Sequence, residues 1–128
     1  MSDPVIFDAS AMLAISNNEA GADEAFRYLP NVCMNTVNVA EFVSKLMLKG
    51  DNLDKIEADL RETGIVVVPF DQSMAFAAGA LTPLSKPYGL SLGDRACLAF
   101  AQISQLPIVT ADKIWLDLNL GLDIRLIR

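Results

Sequence analysis

The chain has 128 residues, 52% of them hydrophobic, with a formal net charge of -6 and no histidine. This length suits one globular domain spanning 1–128, with a core that needs no disulfide or structural metal. The missing histidine excludes His-based triads, Cys–His nucleophiles and imidazole zinc sites, and the acid excess argues against tight nonspecific binding of duplexes.

In chain order, 5–7 is a short apolar run ahead of Asp8 and predicts a strand. Residues 9–15 have helical character, and 23–29 predict a second helix ended by Pro30. A strand is expected at 32–34. Polar Asn38, Glu41, Lys45 and Lys49 recur at helical spacing, so 39–49 predicts a helix stopped by Gly50. Leu53, Ile56 and Leu60 give an amphipathic, solvent-facing helix over 51–62. The β-branched run 65–68 predicts a strand buried on both faces. Asp71 caps a small-residue helix through about Leu81, and Pro83 and Pro87 bound a loop. Residues 91–105 predict a central helix with little polar face. A strand at 108–109, a short helix at 113–118 and a last strand at 124–127 complete the chain.

Strand and helix signals alternate, and the strands are nearly all apolar. That pattern predicts an α/β fold with a largely parallel sheet. Ligands of such sheets bind beyond the carboxyl ends of the strands, so Asp8, Asn35–Thr36, Asp71 and Thr110–Asp112 are the positions to watch. Residues 1–64 hold 11 acids and 5 bases, whereas 65–128 hold 5 of each. The start, MSDPVIF, lacks a basic n-region, and no apolar run nears the ~20 residues of a membrane span. A cytoplasmic protein is expected, with Cys33 and Cys97 as buried free thiols.

Four acids stand out by context: Asp8 after a strand, Glu41 in the apolar VAEFV, Asp94 in SLGDRACLAFA, and Asp112 in IVTAD. Each has an ordinary explanation. Asn38-x-x-Glu41 and Ser91-x-x-Asp94 have capping-box spacing, and Asp8 and Asp112 are suited to cap helices. Together they read differently. Converging carboxylates repel unless a cation neutralises them. An all-oxygen donor set without histidine selects Mg²⁺ or Mn²⁺ over zinc. Such a centre suits phosphodiester hydrolysis, because the ion acidifies the attacking water and stabilises the leaving oxygen.

The segments VIFDASAML (5–13), VNVAEFVSKL (37–46), LSLGDRACLAFA (90–101) and VTADKIW (109–115) resemble the PIN-domain nucleases. More narrowly, they resemble VapC-type toxins of bacterial toxin–antitoxin pairs. The four acids lie 33, 53 and 18 residues apart, in the order that family uses. The resemblance implies a three-layer α/β/α sandwich with a central, mainly parallel sheet. It also implies an Mg²⁺- or Mn²⁺-dependent endoribonuclease with Asp8, Glu41, Asp94 and Asp112 as metal ligands. A homodimer and a cognate antitoxin with a basic, apolar tail are further implied partners, beside the RNA substrate.

Supporting positions keep two readings each. Ser10 and Thr110 are placed to bond a site carboxylate, or are plain helix-opening and strand-end residues. Arg95 is placed to meet phosphate or a site carboxylate. Lys45 pairs with Glu41 at i,i+4. Lys113 and Asp117 read as solvated, and Trp115 as a core residue rather than a base-stacking one. Two rival functions are weighed. An Asp8-based phosphotransfer enzyme of the haloacid-dehalogenase kind would want an acid at position 10, where this chain has Ser10, and a response-regulator receiver would want an acidic pair ahead of Asp8. A non-catalytic or differently regulated PIN-domain RNA-binding module would not need all four acids.

Overall fold

A computed structural model describes residues 3–128. Its centre is a five-stranded sheet: β1 (Val5–Phe7), β2 (Val32–Asn35), β3 (Val66–Val68), β4 (Ile108–Thr110) and β5 (Ile124–Leu126). The order is β3-β2-β1-β4-β5 and every pairing is parallel. Ile6 of β1 faces Cys33 on one side and Ile108 on the other. The chain therefore starts in the middle of the sheet, builds outward to β3, then crosses back to β4. That reversal puts the topological switch point between β1 and β4, and open parallel sheets bind ligands beyond the carboxyl ends of the strands at such a point.

Helices cover both faces, giving the expected α/β/α layers. On one face lie α1 (Ala9–Ser16), α2 (Ala22–Phe26), α3 (Thr36–Leu48) and α4 (Leu53–Glu62). Phe7, Met12, Phe42, Leu46 and Ile56 fill that side. On the other lie α5 (Gln72–Ala80), the short α6 (Ser85–Tyr88) and α7 (Leu92–Ser104). Ile6, Met74, Leu98, Phe100 and Trp115 fill that side. Alternate residues of β1 thus serve opposite cores. Trp115 is buried, in a 3-10 turn over Lys113–Asp117. Cys33 and Cys97 are both free and buried. Among the described residues no helix is long and apolar enough to cross a membrane.

Four features differ from the sequence reading. The α3 helix begins at Thr36, not 39, because Asn35 at the end of β2 accepts the Asn38 N–H at 3.1 Å and starts the helix at once. Asn38 is therefore inside α3 and does not cap it. The β3 strand is not buried on both faces: it is the sheet edge, with Val66 59% exposed. Segment 82–88 is not a loop but a 3-10 turn followed by α6. Both prolines sit in first turns, where the missing N–H is not needed. The α2 helix stops at Phe26, before Pro30.

Candidate active site

Asp8 follows β1 at the switch point of the sheet and is only 6% exposed. It caps α1, accepting the Ala11 N–H at 3.0 Å. Ser10 Oγ donates to both carboxylate oxygens, at 2.7 and 2.9 Å. Thr110 Oγ1, from the end of β4, donates to Oδ2 at 2.6 Å. These hydroxyls are themselves oriented. Ser10 Oγ accepts the Ala111 N–H at 2.9 Å, and Thr110 Oγ1 accepts that of Asp112 at 3.1 Å. With backbone donors on their oxygens, both hydroxyls turn their protons onto Asp8. Ser10 and Thr110 thus take the carboxylate-bonding reading.

Burial pushes the Asp8 carboxyl up to about 6, and the Asp94 charge adds to the rise. The bonds from Thr110, Ser10 and Ala11 oppose it. Glu41, half-buried on α3, is also raised, first by burial and then by Asp94, while Lys45 and Asn38 lower it. Asp94 is thus a charge that both other acids feel. The Cys97 thiol, one turn along α7 from Asp94, reports the same convergence. Burial drives it well above the usual range, and Asp8, Asp94 and Glu41 all add to the rise.

Asp94 and Asp112 also fill their local roles. Asp94 and Ser91 form a complete capping box at the start of α7, with the Ser91 N–H donating to Asp94 Oδ2 at 2.9 Å. Asp112 accepts the Ile114 N–H at 3.1 Å. The structure therefore brings Asp8, Glu41 and Asp94 into one field. Asp112 stands at the end of β4 beside them, its N–H donating to Thr110 Oγ1 at 3.1 Å. Nor do the acids form a closed cage: among the described residues no three Asp, Glu or Cys side chains stand close enough to hold one ion.

Arg95 bonds to α5 and the turn that follows it. Its Nη1 donates to Thr82 Oγ1 at 3.1 Å and to the Ala78 carbonyl at 3.4 Å. The carbonyl end of α5 attracts the guanidinium, as helix C-termini attract cations. Asn35, expected at the ligand-binding strand ends, and Asn38, read in the sequence as a cap, act together here. Asn35 and Asn38 are fully buried. Asn38 Nδ2 donates to the Gly93 carbonyl at 2.9 Å, and Asn35 Nδ2 donates to Asn38 Oδ1 at 2.9 Å and to the Ala96 carbonyl at 3.3 Å. They tie α3, which carries Glu41, to α7, which carries Asp94. Buried asparagines in the stretch NTVN, just after a strand, were the available signal.

The sequence matches the family model of the PIN domain over residues 5–119. The chain belongs to the PIN-domain family. That match spans β1 through the turn after β4, and so includes all four acids. No curated protein matches the chain. Solved structures share the PIN fold at low identity. A DNA-bound VapBC from Salmonella typhimurium is similar with a TM-score of 0.74 at 15% identity, over 99% of this chain and 100% of that one. VapBC-5 of Mycobacterium tuberculosis, from a family of toxin–antitoxin systems, gives 0.62 at 22%, over 99% of each chain. A toxin–antitoxin complex from Klebsiella pneumoniae gives 0.68 at 18%, over 90% and 92%.

A PIN domain with this donor set fits a hard divalent ion. Carboxylates and hydroxyls offer only oxygen, and the chain has no imidazole to favour a softer metal. Burial of Asp8 among other acids is costly by itself and is relieved by a cation.

Proposed function

We propose that this PIN domain, spanning residues 1–128, is a metal-dependent endoribonuclease acting as the toxin of a toxin–antitoxin pair. The observation carrying this reading is the placement of Asp8 at the end of β1, held by Ser10 and Thr110, and of Glu41, whose carboxylate lies against Gly93 next to Asp94. Membership of the PIN family and likeness to VapBC structures support it.

In this reading Asp8, Glu41, Asp94 and Asp112 hold Mg²⁺ or Mn²⁺. The bound cation would acidify the attacking water and offset the charge gathering on the phosphate. The chain's own residues do the positioning. Ser10 and Thr110 fix the orientation of Asp8 by three hydroxyl bonds. The capping box holds Asp94 against the first turn of α7, and the Asn35–Asn38 pair sets α7 against α3. No side chain need act as nucleophile. Asp8 is ill placed for phosphotransfer, being buried with both oxygens already engaged.

A cytoplasmic homodimer is proposed, inhibited by an antitoxin whose tail is basic and apolar. An arginine or lysine from that tail would meet the carboxylates. The decisive test incubates purified wild type and Asp8→Asn with end-labelled RNA, with Mn²⁺ or Mg²⁺ and with EDTA. Cleavage by wild type alone, abolished by EDTA, is expected. Failure of the wild type to cut with either metal overturns the nuclease reading. Equal cutting by Asp8→Asn overturns the site assignment.

A further inference from the structure

We infer that Gly93 is a positioning residue for the acidic site: the space left by its missing Cβ seats the Glu41 carboxylate, and Asn38 fixes that seat. The inference rests on the proposed reading of the acids as cation ligands. A Cβ added at Gly93 would lie 2.8 Å from Glu41 Oε1, 2.9 Å from Oε2 and 3.0 Å from Cδ. Separations that short are not sustained between nonbonded atoms, so the carboxylate would have to leave.

Nothing in the backbone asks for glycine here. Gly93 lies in the first turn of α7 and, unlike Gly89, has no positive φ. Alanine would favour the helix more. What glycine provides is room. Asn38 and Glu41 are three residues apart on α3 and so share a helix face. Asn38 grips the Gly93 carbonyl at 2.9 Å, while Glu41 lays its carboxylate where a side chain would stand. Asp94 is the next residue. Gly93 therefore governs how closely Glu41 approaches Asp94.

The test compares wild type, Gly93→Ala and Gly93→Ser by Mn²⁺ titration calorimetry and by thermal melts in EDTA. Both variants should melt at or above the wild-type temperature in EDTA, while Mn²⁺ affinity falls roughly 10- to 100-fold, as for residues that hold a ligand in place. In a Glu41→Gln background, Gly93→Ala should cost no further affinity, because its effect runs through that carboxylate. Wild-type Mn²⁺ affinity in Gly93→Ala, or full additivity with Glu41→Gln, overturns the inference and leaves the acidic site standing. Melting of both variants far below wild type also overturns it, since the obstacle would then not be a movable carboxylate. No Mn²⁺ binding by the wild type removes the site reading and this inference with it.

Discussion

Replacing Asp8 by asparagine should stabilise the metal-free protein at neutral pH. Asp8 is buried, and its carboxyl is raised from 3.8 to about 6. A group whose folded pKa exceeds its unfolded one binds its proton more tightly when folded. Folding is then favoured at low pH, and stability is lost as pH rises from the unfolded value through the folded one. At pH 7 this gap corresponds to about 3 kcal/mol of destabilisation. Asparagine removes the charge, but its amide faces Thr110, which now donates to Oδ2 at 2.6 Å. Losing that bond returns about 1–2 kcal/mol. The net expectation at pH 7 is a gain of about 1–2 kcal/mol, or roughly 3–8 °C in Tm for a chain this size. Urea or thermal melts in EDTA from pH 4 to 8 measure it. Wild type should weaken relative to Asp8→Asn across pH 4–7, and below pH 4 the advantage of asparagine should vanish. An Asp8→Asn protein less stable than wild type at pH 7, or a difference flat with pH, would refute the electrostatic account.

Thr110→Val removes one donor to Asp8 and should raise its pKa further. Because ligation needs the deprotonated acid, the midpoint of Mn²⁺ binding against pH should move up with it; an unmoved midpoint contradicts the role given to the hydroxyl. Ser91→Ala should cost about 1 kcal/mol in urea unfolding through loss of the α7 cap. It should reduce Mn²⁺ affinity less than Asp94→Asn does, since the Ser91 backbone N–H still holds Asp94. Arg95→Met should lower stability by about 1 kcal/mol and leave Mn²⁺ affinity at the wild-type value, because Arg95 bonds Ala78 and Thr82 rather than the acids.

The sheet was legible in the sequence because its inner strands are short, apolar and punctuated. Asp8 after VIF and Asp112 after IVT mark strand ends that topology then makes neighbours. What a β-branched run does not encode is its place in the strand order. The run 65–68 reads as interior, yet β3 is the edge. Local spacing also misled at Glu41, where Asn38-x-x-Glu41 has capping geometry on paper. The true cap is Asn35, and Asn38 is spent on a long-range bond to Gly93. The bonds of Arg95 to Ala78 and Thr82 span 17 and 13 positions and were equally invisible to a local reading. The tie of α3 to α7, through Asn35 and Asn38, links residues 55 and 61 positions apart, beyond the reach of any local pattern.

Asp8, Glu41, Asp94 and Asp112 are proposed to close on a divalent cation at the carboxyl ends of β1 and β4. Anomalous diffraction at the manganese edge from Mn²⁺-soaked crystals tests it directly. A strong peak among the four acids is expected, and none in crystals of Asp8→Asn. A wild-type map with no peak at these strand ends, or with manganese bound only elsewhere, would contradict it.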